Sequence, residues 1–168
     1  ISDPIKIKKI ERNSLFSGYA VTGTPADCIK LAITVLMKRK PDLILSGINL
    51  GPNVGISVIY SGTVSAAMEG LLLGVPSIAV STVAREKFIF DTAGYIALQI
   101  VKKVFKRGLP FDTLLNINVP NIPLSELKGI KITRMGKKRY SDNIMEKTDP
   151  RGKKYYWLAA EEIGYEKF

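Results

Sequence analysis

Any chemistry this sequence performs would turn on Asn49, Asn53, Ser61, Gly62 and Thr63, the polar cluster inside PDLILSGINLGPNVGISVIYSGTVSAAMEG at positions 41–70. The two asparagines offer carbonyl oxygens and amide donors. Asn49 comes a few residues after the apolar run Leu43-Ile44-Leu45, where open α/β sheets place their ligands. Ser61 and Thr63 bracket Gly62 ahead of a run with helical spacing. Hydroxyls, backbone N–H groups and the positive end of a helix dipole together suit a phosphate. Gly47, Gly51 and Gly55 free the backbone to approach such a ligand, and Pro52 stiffens the loop between them. Neither GxGxxG nor a P-loop Gly-Lys-Ser/Thr is present. The plainer alternative, glycines that only turn the chain and a Ser61 that only caps a helix, stays open at this point.

The elements that must position these groups read in order. Ile5–Ile10 alternates as a half-exposed strand, and Tyr19–Thr22 is a second short one. Thr24, Pro25 and Asp27 form a strong helix start, with Cys28, Leu31, Ala32, Val35 and Leu36 inward and Lys38–Lys40 at the C-terminal end before Pro41. That is a helix of roughly four turns, with Cys28 expected as inert core. Leu43–Ser46 is the strand entering the polar loop, and Thr63–Leu73 the helix leaving it. Val64, Ala67, Met68, Leu71 and Leu72 make that helix's apolar stripe. Ser77–Ser81 and Thr113–Val119 are further apolar strands, separated by a helix over Asp91–Lys106 with Ile96, Ile100, Val101 and Val104 inward. Continuous apolar strands alternating with helices predict a Rossmann-like, doubly wound, mostly parallel α/β sheet. After Pro120 a strand is expected over Gly129–Met135, a basic turn over Gly136–Arg139, and a tight turn at Asp149–Gly152 before Tyr155–Leu158. This is an extended β-arm. The expected division is 1–120 as the α/β core and 121–168 as strand plus arm.

Composition narrows the function. The chain has 168 residues, 46% of them apolar, and a formal charge of +10, which favours an anionic substrate or partner. The excess is uneven: residues 1–99 hold ten Lys/Arg against seven Asp/Glu, and residues 100–154 hold fourteen against five. A solvated surface is the ordinary reading of such a run, and nucleic acid is not the expected partner. With no histidine the chain cannot run a Ser-His-Asp triad or a His-ligated metal by itself. The single Cys28 excludes an internal disulfide. No apolar run is long enough to span a membrane. The start at Ile1 without Met and the unterminated end at Glu161–Phe168 read as the remainder of a longer protein.

Several blocks carry a resemblance. VTGTPADC (21–28), SGINLGPNVG (46–55), YSGTVSAAMEG (60–70), LNINVP (115–120), and DPRG (149–152) with YYW (155–157) resemble the SurE family. These are the stationary-phase survival proteins, metal-dependent 5′/3′-nucleotidases. The resemblance implies that Asn49 is a metal ligand and that Ser61, Gly62 and Thr63 line the phosphate pocket, with Asn53 in the same loop. It also implies one divalent ion (Mg²⁺ or Mn²⁺), nucleoside monophosphate substrates, a cytoplasmic enzyme, and homodimers or homotetramers built through C-terminal extensions, a role that fits residues 134–158. No residue here is assigned as catalytic acid, base or nucleophile. The family's Asp-Asp-Gly block and its later serine ligand are absent, and Ser57 stands where many relatives carry an acidic residue. The chain alone is therefore expected to be inactive. A non-catalytic phosphate- or nucleotide-binding module is the alternative.

Overall fold

The structure, a computed structural model, describes residues 3–12, 16–84 and 88–165. Residues 1, 2 and 166–168, on which the reading of a shortened chain partly rests, lie outside them. The chain divides into two compact units, Ile1–Asn53 with Val58–Gly129, and Val54–Ser57 with Ile130–Phe168.

The first unit opens with an antiparallel pair, β1 (Ile7–Arg12) and β2 (Phe16–Val21), in register from Ile7↔Val21 to Arg12↔Phe16. Helix α1 (Pro25–Leu31) starts as its sequence dictates: Thr24 accepts the Asp27 N–H, and Asp27 accepts the Thr24 N–H at 2.7 Å in a capping box. The helix then widens into a π-helical segment, Ala32–Leu36, and Met37 is already extended. Lys38–Lys40 therefore lie beyond the helix, not in its last turn. Lys40 instead donates to Leu73 O at 2.8 Å, capping the helix that follows the polar loop. No residue of α1 is fully buried, and Cys28 is only half-buried, so it is not core.

Three parallel strands follow in the order β3 (Ile44–Leu50), β4 (Ser77–Val83) and β5 (Leu115–Pro120). Between β3 and β4 come the short α2 (Ser57–Tyr60) and α3 (Gly62–Leu72); between β4 and β5 lies α4 (Phe90–Arg107). The expected parallel α/β sheet with helices on both faces is present. Ile78 and Val80 face Ala93, Ala97 and Val104 of α4, while Ala79 faces Val64 and Ala67 of α3. Strand β4 is central and buried on both faces up to Thr82, so Ile78 and Val80 contribute about 1.5–3 kcal/mol each. The apolar stripe of α3 is rotated from the expected one: Val64, Ala66, Ala67 and Gly70 are buried, while Met68 and Leu72 are exposed. The small residues win because α3 lies close to the sheet. A Cβ on Gly70 would collide with Ile44 Cδ1 and Ser77 Oγ.

The second unit contains a long antiparallel ribbon, β6 (Lys138–Thr148) and β7 (Lys154–Tyr165), closed by the expected turn. Asp149 Oδ1 accepts the N–H groups of Arg151 and Lys153 at 2.8 Å each, and Gly152 takes φ +80°. The expected strand over Gly129–Met135 does not form: residues 129–137 carry no strand pairing, and Ile130, Ile132 and Met135 are exposed. A strand needs a neighbour for its N–H and C=O groups, and alternation alone does not supply one. The ribbon instead begins at Lys138, inside the segment read as a basic turn.

The capping box sets a pH dependence. Hydrogen bonds from the Thr24 side chain and then its backbone N–H hold the Asp27 carboxyl below its usual value of 3.8. A lowered folded pKa means stability that is present above the unfolded value and lost as pH falls through the folded one. Asp27→Asn is therefore expected to lower the thermal midpoint at pH 6, with the gap from wild type narrowing towards pH 3. A gap independent of pH would remove the carboxylate from this account.

Candidate phosphate site at the carboxyl edge of the sheet

The site grows from an irregularity in β3. The strand was expected to end at Ser46, with Asn49 in the loop beyond. It runs instead to Leu50, with a register shift between Ser46 and Asn49. Gly47 makes this possible: its φ is +126°, and Val80 O lies too close to leave room for a Cβ. Pairing resumes at Asn49↔Ser81, and Ser81 in turn pairs with Asn118. Asn49, Ser81 and Asn118 thus form one row across all three strands at their carboxyl ends, where doubly wound sheets take ligands.

Asn49 is half-buried, and its Nδ2 donates to Gly51 O at 2.9 Å. Among the described residues its Oδ1 receives no donor. Gly51 is fixed in turn by its N–H to Thr82 O at 2.9 Å. Asn53 is buried, and its Nδ2 donates to Ser81 Oγ at 2.8 Å. Its side-chain amide donor is thus engaged with the sheet. Its backbone N–H donates to Asn118 Oδ1 at 2.8 Å, and its backbone O accepts from Asn116 Nδ2 (2.9 Å) and Asn118 Nδ2 (3.1 Å). Val54–Ser57 belongs to the second unit. There Ser57 Oγ accepts the Val54 N–H and donates to Val54 O, closing its own turn.

At the start of α3, Ser61 is the N-cap, with its Oγ accepting the Val64 N–H at 3.2 Å. The N–H groups of Gly62 and Thr63 belong to the first turn of α3, where such groups ordinarily lack a partner within the helix. Gly62 is exposed and packs on Pro25, whose Cγ would lie 3.1 Å from an added Cβ. The start of α3 therefore lies beside the start of α1. Lys30 of α1 and Glu69 of α3 approach to 3.4 Å further along, so the two helices run in parallel.

Asn49 Oδ1 is of the type a hard cation takes, but such ions want about six to eight oxygens. No group of three His, Cys, Asp or Glu that could hold a metal occurs among the described residues. The described residues offer one candidate donor and not a complete cation site.

The family profile described as Survival protein SurE matches residues 1–142. The chain belongs to the SurE family. It is 48% identical to the 5′-nucleotidase SurE of Aquifex aeolicus over 165 residues, which is 98% of this chain and 64% of that relative. Identity to the 5′-nucleotidase SurE of Thermosipho melanesiensis is also 48%, over 92% of this chain and 61% of the relative. The crystal structure of the SurE protein from Aquifex aeolicus superposes with a TM-score of 0.78 at 49% identity, covering 96% of this chain and 64% of that one. The chain spans about three fifths of the length of the SurE relatives it matches. Sequence reasoning did not single out Asn116, Asn118 or Ser81 as site residues. The available signal was a pair of asparagines two apart on one face of an otherwise apolar strand.

Proposed function

We propose that this chain forms part of a divalent-metal-dependent phosphomonoesterase acting on nucleoside monophosphates. The observation that carries the reading is the near 48% identity, over almost the whole chain, to relatives named 5′-nucleotidases. The site agrees with it in kind. In this reading the Ser61 hydroxyl and the Gly62 and Thr63 N–H groups hold the phosphoryl oxygens at the positive end of α3. Asn49 Oδ1 contributes one oxygen to a single Mg²⁺ or Mn²⁺. A bound cation of this kind would neutralise charge on the non-bridging oxygens. In the same reading Asn53, tied by its Nδ2 to Ser81 Oγ, stiffens the loop between them and lines the phosphate pocket. The enzyme would work in the cytoplasm; no helix among the described residues is long and apolar enough to cross a membrane. Assembly as a homodimer or homotetramer through residues 134–158 is part of the same proposal. It is supported by the second unit's ribbon, which leaves Trp157 57% and Leu158 82% exposed.

The test is phosphate release from 5′- and 3′-nucleoside monophosphates by the full-length protein. Release that requires added Mg²⁺ or Mn²⁺ and stops with EDTA is expected. Binding of AMP by calorimetry without any phosphate release would replace the enzyme with a binding module.

A further inference from the structure

We propose that Asn118 and Asn116, on β5, are positioning residues for the phosphate site, acting through the loop that follows β3. The inference rests on the functional reading above and adds residues to it. Asn118 grips both polar groups of one backbone residue. Its Oδ1 accepts the Asn53 N–H at 2.8 Å and its Nδ2 donates to Asn53 O at 3.1 Å, which imitates a strand partner where no strand exists. Asn116 donates a second hydrogen bond to the same oxygen at 2.9 Å, filling both of its lone pairs. Ser81 holds the Asn53 side chain from the neighbouring strand.

The alternation of β5 explains why these two residues can act together. Asn116 and Asn118 are two apart and share one face, the face on which the paired Ala79 packs against α3. The loop is consequently tied to the sheet at Gly51, through Thr82 O, and at Asn53, through β5. Gly51 O is also the acceptor for Asn49 Nδ2. Both ends of the short Gly51–Asn53 segment are thus anchored to the sheet by hydrogen bonds, and Gly51 at one end holds the carboxamide of Asn49. The half-buried carboxamide of Asn118, with both functions engaged, has one orientation, and it transmits that orientation to the loop.

The experiment uses the full-length protein with Asn118→Leu, which removes both halves of the grip at similar volume, and with Asn116→Leu, which removes one of two bonds to Asn53 O. Phosphate release from 5′-AMP and amide hydrogen exchange are followed together. For Asn118→Leu the expected result is a kcat lower by about 10–100-fold with KM changed by less than about threefold. The Asn53 amide should exchange faster while amides inside β4 and β5 keep their protection. Asn116→Leu should move kcat in the same direction by a few fold, and it serves if Asn118→Leu does not fold. A purely structural clamp would speed exchange at Asn53 and leave kcat alone, and that outcome overturns the proposal. Wild-type protein that releases no phosphate would overturn the functional reading itself. Unchanged turnover by both variants of an active wild type would overturn only the positioning role.

Discussion

Alanine at Gly47 is expected to remove about 3 kcal/mol of folding stability, from about 1–3 for a backbone conformation that L side chains resist and about 1–3 for overpacking. Two separate causes act at this one position. The φ of +126° is open to glycine and costly for any residue with a Cβ. The new Cβ would also meet Val80 O, a backbone atom of the central buried strand that cannot rotate away. Gly108 separates these causes: its φ is +72°, but nothing lies within 4 Å of its missing Cβ. Gly108→Ala should therefore cost only the conformational part, about 1–3 kcal/mol for its φ of +72° and ψ of 179°, with no overpacking added. Urea unfolding of both variants checks the difference. Equal losses would mean that the approach to Val80 is not what reserves position 47 for glycine. The consequence reaches the site, because the bulge at Gly47 sets which residue of β3 resumes pairing with Ser81. Loss of about 3 kcal/mol is a large share of the 5–15 typical of a domain.

What was legible in the sequence depended on how local its cause was. Thr24, Pro25 and Asp27 interact within one helical turn, and the capping box appears as their spacing dictates. The Asp149–Gly152 turn is local in the same way. Burial on both faces of β4 was readable because a continuous apolar run leaves no polar face. Register was not readable. That Asn49, Ser81 and Asn118 share a row depends on the bulge at Gly47 and on pairing across more than 60 residues of chain, which no window of sequence contains. For the same reason Asn53, read as a loop donor, has its amide engaged with Ser81, while Asn116 and Asn118 went unnoticed as partners. Apolar size does not predict the buried stripe of α3, where Met68 and Leu72 are exposed. Close packing selected the smallest residues, Ala66 and Gly70, for the buried face.

Ser61 separates helix capping from phosphate binding, and Ser61→Asp is expected to abolish turnover while leaving stability intact. Aspartate is as good an N-cap as serine, and its charge suits the positive end of α3. It can accept the Val64 N–H as Ser61 Oγ does at 3.2 Å. A carboxylate there faces the phosphate, however, and like charges about 4 Å apart repel by about 4 kcal/mol at an effective dielectric of 20. Turnover should fall by more than about 100-fold, since each 1.36 kcal/mol is tenfold. The thermal midpoint should stay within about 2 °C, because a cap retained changes stability by only tenths of a kcal/mol. Ser61→Ala provides the complement: it should cost about 1 kcal/mol of stability through the lost cap, and about 10²–10³-fold in kcat through the lost donor. Asn49→Ala should also lower turnover, by about 10–100-fold, through both the absent Oδ1 and the freed Gly51 O. The decisive comparison is Ser61→Asp against wild type. Full activity with an aspartate at position 61 would mean that the start of α3 does not hold the phosphate, and that Ser61 is a helix cap and nothing more.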